Sequence, residues 1–457
     1  MRWSPSTSCR LPVKEEYLPL KQTDNLSEST SLADRLGIPA PLFWGFVGLL
    51  FFMIGDGVEA GYLAPYLEGQ GISSRDTALL FTIYGVTVSL SSWASGPLSD
   101  LWGPKRVMWI GLAIWGVFEI LFLTFGVAVN SYPIMLAAYT MRGFGYPLFT
   151  YGFLVWIAAA TPPRQLGSAA GWFWFAFSGG LPTLGSLFAS FSIPLIGEMA
   201  TFWSSLGLVM FGGLLALLMT REPIGSRRLA PVGTKPGMIF FSSISILWRE
   251  PKTFVAMIVR TINTSSEYAF LVIMPAFFTK VIGFSLSQWL QLLSIIFLSN
   301  ILVNLVSGIT ADRLGHRTVV ALFGCIGAAI TVPLFYYVPQ MFPGNFGIAA
   351  AMGALYGATI AAFVPLSGLV PQICPKEKAA ALSALGLGAG ASTWVGPAIV
   401  TWFESWRGIE GIIWIFSGLY VASAVMTLVL TVSPEARRHL NEAAARGDIA
   451  EEVTLGH

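Results

Sequence analysis

Twelve apolar runs divide the chain, at 42–66, 77–96, 107–128, 133–160, 168–192, 199–220, 253–279, 286–308, 319–338, 345–371, 379–403 and 410–432. Most reach the roughly 20 residues with which a helix crosses a bilayer. Within each run the apolar residues are continuous rather than alternating, which excludes a membrane β-barrel and predicts an all-α membrane protein. A polar stretch separates six runs from six. The expected organisation is a tail at 1–36, a six-helix bundle at 37–220, a central loop at 221–252, a second six-helix bundle at 253–432 and a tail at 433–457.

Composition agrees. Of 457 residues, 54% are hydrophobic and 11% charged, against about 25% charged in a soluble protein. Basic residues set the orientation. With the N-terminus inside, the outer loops keep only Arg75, Lys280 and Arg407, so both termini are expected to be cytoplasmic. The polar, mixed-charge 1–36 stretch lacks the apolar run of a signal peptide. A net charge of +2 is too balanced to suggest nucleic acid, and Cys9, Cys325 and Cys374 have no metal or redox spacing. No metal or cofactor is expected. Nor does a nucleophile–base pair or phosphate loop point to an enzyme.

One short pattern recurs between apolar runs. Gly96, Asp100 and Gly103 reappear as Gly308, Asp312 and Gly315, each 212 residues on, and each copy closes with a base, Arg106 or Arg317. Glycines let two helices approach and turn, and the Asp can cap or pair with a neighbouring helix end. The pattern resembles the signature loops between helices 2 and 3 and between helices 8 and 9 of the major facilitator superfamily. That resemblance implies two pseudo-symmetric six-helix bundles, a substrate site near mid-membrane and alternating access. It also implies a cytoplasmic gate worked by Asp100 and Asp312, with Arg106 and Arg317 as candidate partners.

Ionisable groups inside a bilayer are costly unless paired or wetted, so the few present here are the candidate site. Asp56 and Glu59 in the first run are three apart and share a helix face. Both charged at once, they repel, which favours proton uptake by one of them. Arg142 in the fourth run reaches a similar depth and is a candidate counter-ion to either. Arg260, Asn263, Thr264 and Glu267 follow i, i+3, i+4, i+7 spacing and form one polar face of the seventh run. Asn263 and Glu267 suit a ligand with many hydroxyls, whereas Arg260 lies toward the cytoplasmic end and reads as a latch. Glu119 in the third run reads equally as a structural pair or lipid-edge residue and as a functional group. Gln291 is preferred over Asn300 and Asn304 as a ligand contact. Trp172, Trp174, Tyr146 and Tyr356 are aromatic candidates for packing against C–H faces of a polyol.

A narrower resemblance rests on Leu36-Gly37-Ile38-Pro39, on the run from Phe52 to Pro65 containing Gly55-Asp56-Gly57-Val58-Glu59, and on Arg260-x-Ile262-Asn263-Thr264. These resemble the polyol permease family of bacterial ribitol and D-arabinitol transporters. The family implies a monomeric inner-membrane symporter that imports a small, pentitol-like polyol with a proton. Asp56, Glu59 and Arg142 would then do the coupling. Some relatives carry dicarboxylates. Uptake of an organic acid such as 2-oxoglutarate is therefore the alternative, with Arg142 and Arg260 as carboxylate ligands. Drug efflux is disfavoured because Gly180-Leu181-Pro182 departs from the Gly-x3-Gly-Pro core of exporters. A non-transporting sensor is disfavoured by the shortness of both tails.

Overall fold

The computed structural model describes residues 38–161, 166–230, 245–374 and 378–432. Both predicted tails, Cys9 and the 231–244 part of the central loop lie outside the described residues. Every regular element among the described residues is helical. The spans are α1 (Ala40–Gly69), α2 (Ser74–Trp102), α3 (Pro104–Val127), α4 (Tyr132–Ala160), α5 (Gly171–Ile196) and α6 (Glu198–Met219), then α7 (Pro251–Ala276), α8 (Leu286–Leu314), α9 (His316–Met341) and α10 (Phe346–Val370). Residues Lys378–Thr427 run on as helix through one break at Gly408, φ 64°. Its two arms are α11 (378–407) and α12 (409–427).

Ten of these helices are long and apolar enough to cross a membrane when the arms count as one. The remaining one, α7, has 26 residues, or about 39 Å of helix. It falls below the others in hydropathy because it carries Lys252, Arg260 and Glu267.

The two repeats match in backbone as well as in sequence. Helices α2 and α8 each have 29 residues. Each begins on a serine cap: Asp76 N donates to Ser73 Oγ and Gln288 N to Ser285 Oγ, both at 3.1 Å. Each ends on a glycine of left-handed φ, Gly103 at 89° and Gly315 at 88°. That backbone conformation favours glycine over any L side chain, which accounts for the second glycine of the motif.

Prolines break the spans where the apolar pattern shows nothing. Helix α1 is regular only to Val58 and resumes at Leu63. The continuous helix expected over 42–66 is thus corrected, and Glu59 is the C-cap of its first part. Pro65 has no N–H for the Gly61 carbonyl four residues back. Trp289 of α8 fills the vacancy, its Nε1 donating to Gly61 O at 2.8 Å. A π-helical turn at Gly179–Leu184 pushes the Leu181 carbonyl against α1. A Cβ at Gly57 would lie 1.6 Å from that oxygen, so only glycine fits the crossing.

The segments before and after the central loop are tied together at one end. Glu68 and Lys280, themselves 212 residues apart, pair at 3.2 Å. Ser74 Oγ donates to Glu404, and Ser287 Oγ to Ser190 O at 2.7 Å. Nearer the middle, Thr393 Oγ1 donates to Gly85 O at 2.9 Å. These ties all lie away from the Gly103 and Gly315 turns. The Glu68–Lys280 pair is exposed on the Lys280 side and worth about 0–1 kcal/mol. Glu68→Lys combined with Lys280→Glu is accordingly expected to restore whatever uptake either single reversal loses, measured as initial rates in proteoliposomes.

Candidate functional site

Four ionisable side chains meet inside the first bundle. Arg142 is buried at the end of the first part of α4. Its Nη1 donates to Glu59 Oε1 of α1 and to Glu119 Oε2 of α3. Its guanidinium lies 4.4 Å from the Tyr139 ring centroid and 4.9 Å from that of Trp115. Trp115 also donates from Nε1 to Asp56 Oδ1 at 2.6 Å. Asp56, Glu59 and Glu119 are all buried as well.

Glycine allows this convergence. A Cβ at Gly145 would stand 2.6 Å from Trp115 Cβ, and one at Gly111 would stand 2.6 Å from Phe149 N. Helices α3 and α4 therefore pack backbone to backbone, which delivers Glu119 to Arg142. Beside them Thr87 Oγ1 of α2 donates to Thr140 O at 2.7 Å, in the space a side chain at Gly143 would need.

The structure chooses between alternatives left open at two positions. The candidate counter-ion Arg142 bonds Glu59, while Asp56 takes an indole N–H instead. Of the alternatives for Glu119 the structure takes pairing and excludes a lipid edge: it is buried as the second partner of Arg142. In this cluster the missed residue is Trp115. Its place four residues before Glu119, beside Gly111 and Gly116, was the available signal.

A small cavity of about 60 Å³ lies against Asp56, Glu59 and Arg142. It shares Tyr146, Leu181, Tyr268 and Thr393 with a larger cavity of about 490 Å³. The polar face of α7 lines the larger one. Arg260 Nη1 donates to Asn263 Oδ1 at 2.5 Å, Thr264 Oγ1 to Ser392 Oγ at 2.7 Å, and Glu267 also faces in. Asn300 and Asn304 of α8 face it too, linked at 3.1 Å. Trp174 and Tyr146 complete the predicted set that reaches this space, and Tyr151 and Tyr268 join them unpredicted.

The other candidates are placed elsewhere. Gln291 is outside the lining, because α8 turns Asn300 and Asn304 inward. Trp172 packs edge-on against Phe175, 5.5 Å away, on the other side of α5. Tyr356 is a core strut whose hydroxyl meets Ser266 Oγ at 2.6 Å. Arg260, expected in a latch, lines the cavity. At the turns, Arg106 and Arg317 are exposed, and Asp100 makes no ion pair with Arg106. Its backbone oxygen instead accepts from Leu229 N and Ala230 N at 3.0 and 2.9 Å. Gly96 faces open space, with no helix against it. The Asp312 side chain lies outside what the structure describes. Among the described residues no cluster of His, Cys, Asp and Glu is arranged for a metal.

Comparison with known proteins places this architecture. The Major Facilitator Superfamily profile matches residues 45–335 and 256–454. The chain is 38% identical to the alpha-ketoglutarate permease of Bacillus subtilis (strain 168), over 89% of its own length and 92% of the relative's. It is 37% identical to the D-arabinitol transporter of Klebsiella pneumoniae, over 91% and 97%. With the ribitol transporter of the same organism it shares 36%, over 87% and 93%. A crystal structure of the nucleoside transporter NupG superposes with a TM-score of 0.67 at 14% identity, covering 85% of this chain and 99% of that one; at that identity the likeness speaks for the fold alone. The chain therefore belongs to the Major Facilitator Superfamily and is a membrane transporter, not an enzyme, related both to polyol transporters and to a keto-acid permease.

Proposed function

We propose that this protein is a monomeric symporter of the bacterial inner membrane, both termini inside, importing a small polyol with a proton. The 37–220 and 253–432 bundles would rock about the shared cavity. The described form, tied at the end away from the glycine turns, would be the inward-facing one. The observation that carries the substrate class is the charge balance of the cavity. Arg260 and Glu267 offset each other on one face of α7, while Asn300, Asn304 and Thr264 add neutral polar groups to the wall; Asn263 is wholly buried and holds Arg260 in place, its own amide donating to Ile360 O at 3.2 Å. A neutral ligand rich in hydroxyls matches that lining. Arg142 is already committed to two carboxylates, which leaves Arg260 as the one cavity cation in this set for an acidic substrate.

Coupling is assigned to Asp56. It borders the small cavity, and its partner is a neutral N–H rather than a cation, so it can gain and lose a proton without breaking an ion pair. Asp56→Asn is expected to abolish gradient-driven accumulation while sparing exchange. The test is uptake of labelled ribitol, arabinitol, xylitol and 2-oxoglutarate into proteoliposomes, with and without an inward proton gradient. Polyol uptake without gradient stimulation would overturn the coupling. Uptake of 2-oxoglutarate alone would overturn the substrate class and favour the second reading. That reading rests on the likeness to a keto-acid permease and on Arg260 facing the cavity, and Arg260→Gln would then abolish uptake.

A further inference from the structure

The cluster around Arg142 has more acid than base. Glu59 and Glu119 both reach one nitrogen of one guanidinium. Their other oxygens, Glu59 Oε2 and Glu119 Oε1, are buried and meet no hydrogen-bonding group of the protein. The groups facing them are Asp56 and Tyr62 from α1, Tyr84 from α2, Trp115 from α3, and Tyr139 and Arg142 from α4. Arg142 is the only cation among these. A guanidinium offsets one carboxylate, and a buried carboxylate left without a counter-charge neutralises by taking a proton. Glu119 lines neither cavity and Glu59 only the smaller, so a proton here does not touch the larger, substrate-sized space directly.

We propose that Glu59 and Glu119 share one enclosed proton over Arg142, a second proton site distinct from Asp56. The proton sits on either carboxyl as an O–H, while the other carboxylate balances the guanidinium. The three groups together are then neutral. Asp56 takes the whole cluster between a charge of minus one and zero, so one proton moves per cycle. This deepens the reading of Asp56 given above and rests on it for the cycle, though not for the enclosed proton itself.

Infrared spectroscopy of the purified full chain in lipid tests the site directly. A carboxylic-acid C=O band is expected to persist at alkaline pH and to shift slowly on transfer to heavy water, because both carboxyls are almost wholly buried. Both Glu119→Gln and Glu59→Gln are expected to remove it, since each leaves one carboxylate for one guanidinium. Asp56→Asn is expected to keep it. A wild-type spectrum without the band overturns the proposal, as does a band lost only in Asp56→Asn or surviving both glutamate substitutions. Should one glutamate variant fail to fold, the other and the wild-type exchange rate still decide. None of these readouts needs transport, so a failed Asp56 coupling test and a missing band are separate outcomes.

Discussion

Arg142→Met is expected to abolish transport and to cost about 3–5 kcal/mol of stability, the usual penalty for removing one partner of a buried pair. The side chain is 1% exposed, and its removal leaves one buried carboxylate without a counter-charge and both glutamates without their shared donor. That loss is a large share of the roughly 5–15 kcal/mol that holds a typical domain folded. The methionine fills much of the space and suits the rings of Tyr139 and Trp115, so the deficit is electrostatic rather than a cavity. Two consequences separate these causes. The deficit shrinks as pH falls, because the remaining carboxylate then takes a proton. It also shrinks when Glu59→Gln and Glu119→Gln are added. Thermal unfolding of detergent-purified variants across pH measures both, and a deficit independent of pH would show packing to be the cause.

Gly85→Val is expected to leave the protein folded and to hold open the end joined by Glu68 and Lys280. A Cβ there would lie 2.4 Å from Thr393 O and 2.6 Å from Trp394 N, across the contact between α2 and α11. The clash is with the other bundle and exists only while that end is closed. Overpacking costs about 1–3 kcal/mol, which applied to one of two states shifts their ratio about 5- to 150-fold. Substrate uptake falls accordingly. A cysteine introduced by Ala60→Cys, at the wall common to both cavities, becomes reactive to an impermeant thiol reagent added outside. Gly57→Val is the contrast. Its clash with Leu181 O lies inside one bundle, so folded yield drops instead. Normal yield with unchanged thiol reactivity in Gly85→Val would refute the assignment of this contact to the closed state.

Much of this was legible before any fold was known. The spans follow from run length against bilayer thickness. The turns at Gly103 and Gly315 follow from a spacing repeated at 212 residues, and both adopt the left-handed backbone that a glycine there implies. Asp56, Glu59, Arg142, Asn263 and Glu267 stood out because hydrocarbon does not tolerate them unpartnered, and each is found against a partner or a cavity. The polar face of α7 was readable because four polar residues at helical spacing define a direction.

Other features had no one-dimensional signal. In a helix apolar all round, nothing local says which way a lone residue points. Trp172 and Trp174 are two residues apart on α5, and only the second reaches the cavity. Gln291 against Asn300 and Asn304, and the removal of Tyr356 to the core, are the same problem of helix rotation. Glu119 finds Arg142 because Gly111 and Gly145 bring two backbones together, a contact that exists only once α3 and α4 are side by side. The sequence by itself determined the number of spans, the turn chemistry and which side chains must avoid lipid, because these depend on covalent neighbours and on transfer from water. Only the tertiary structure decided who pairs with whom, because that depends on how close two helices come and on the angle at which each presents its face.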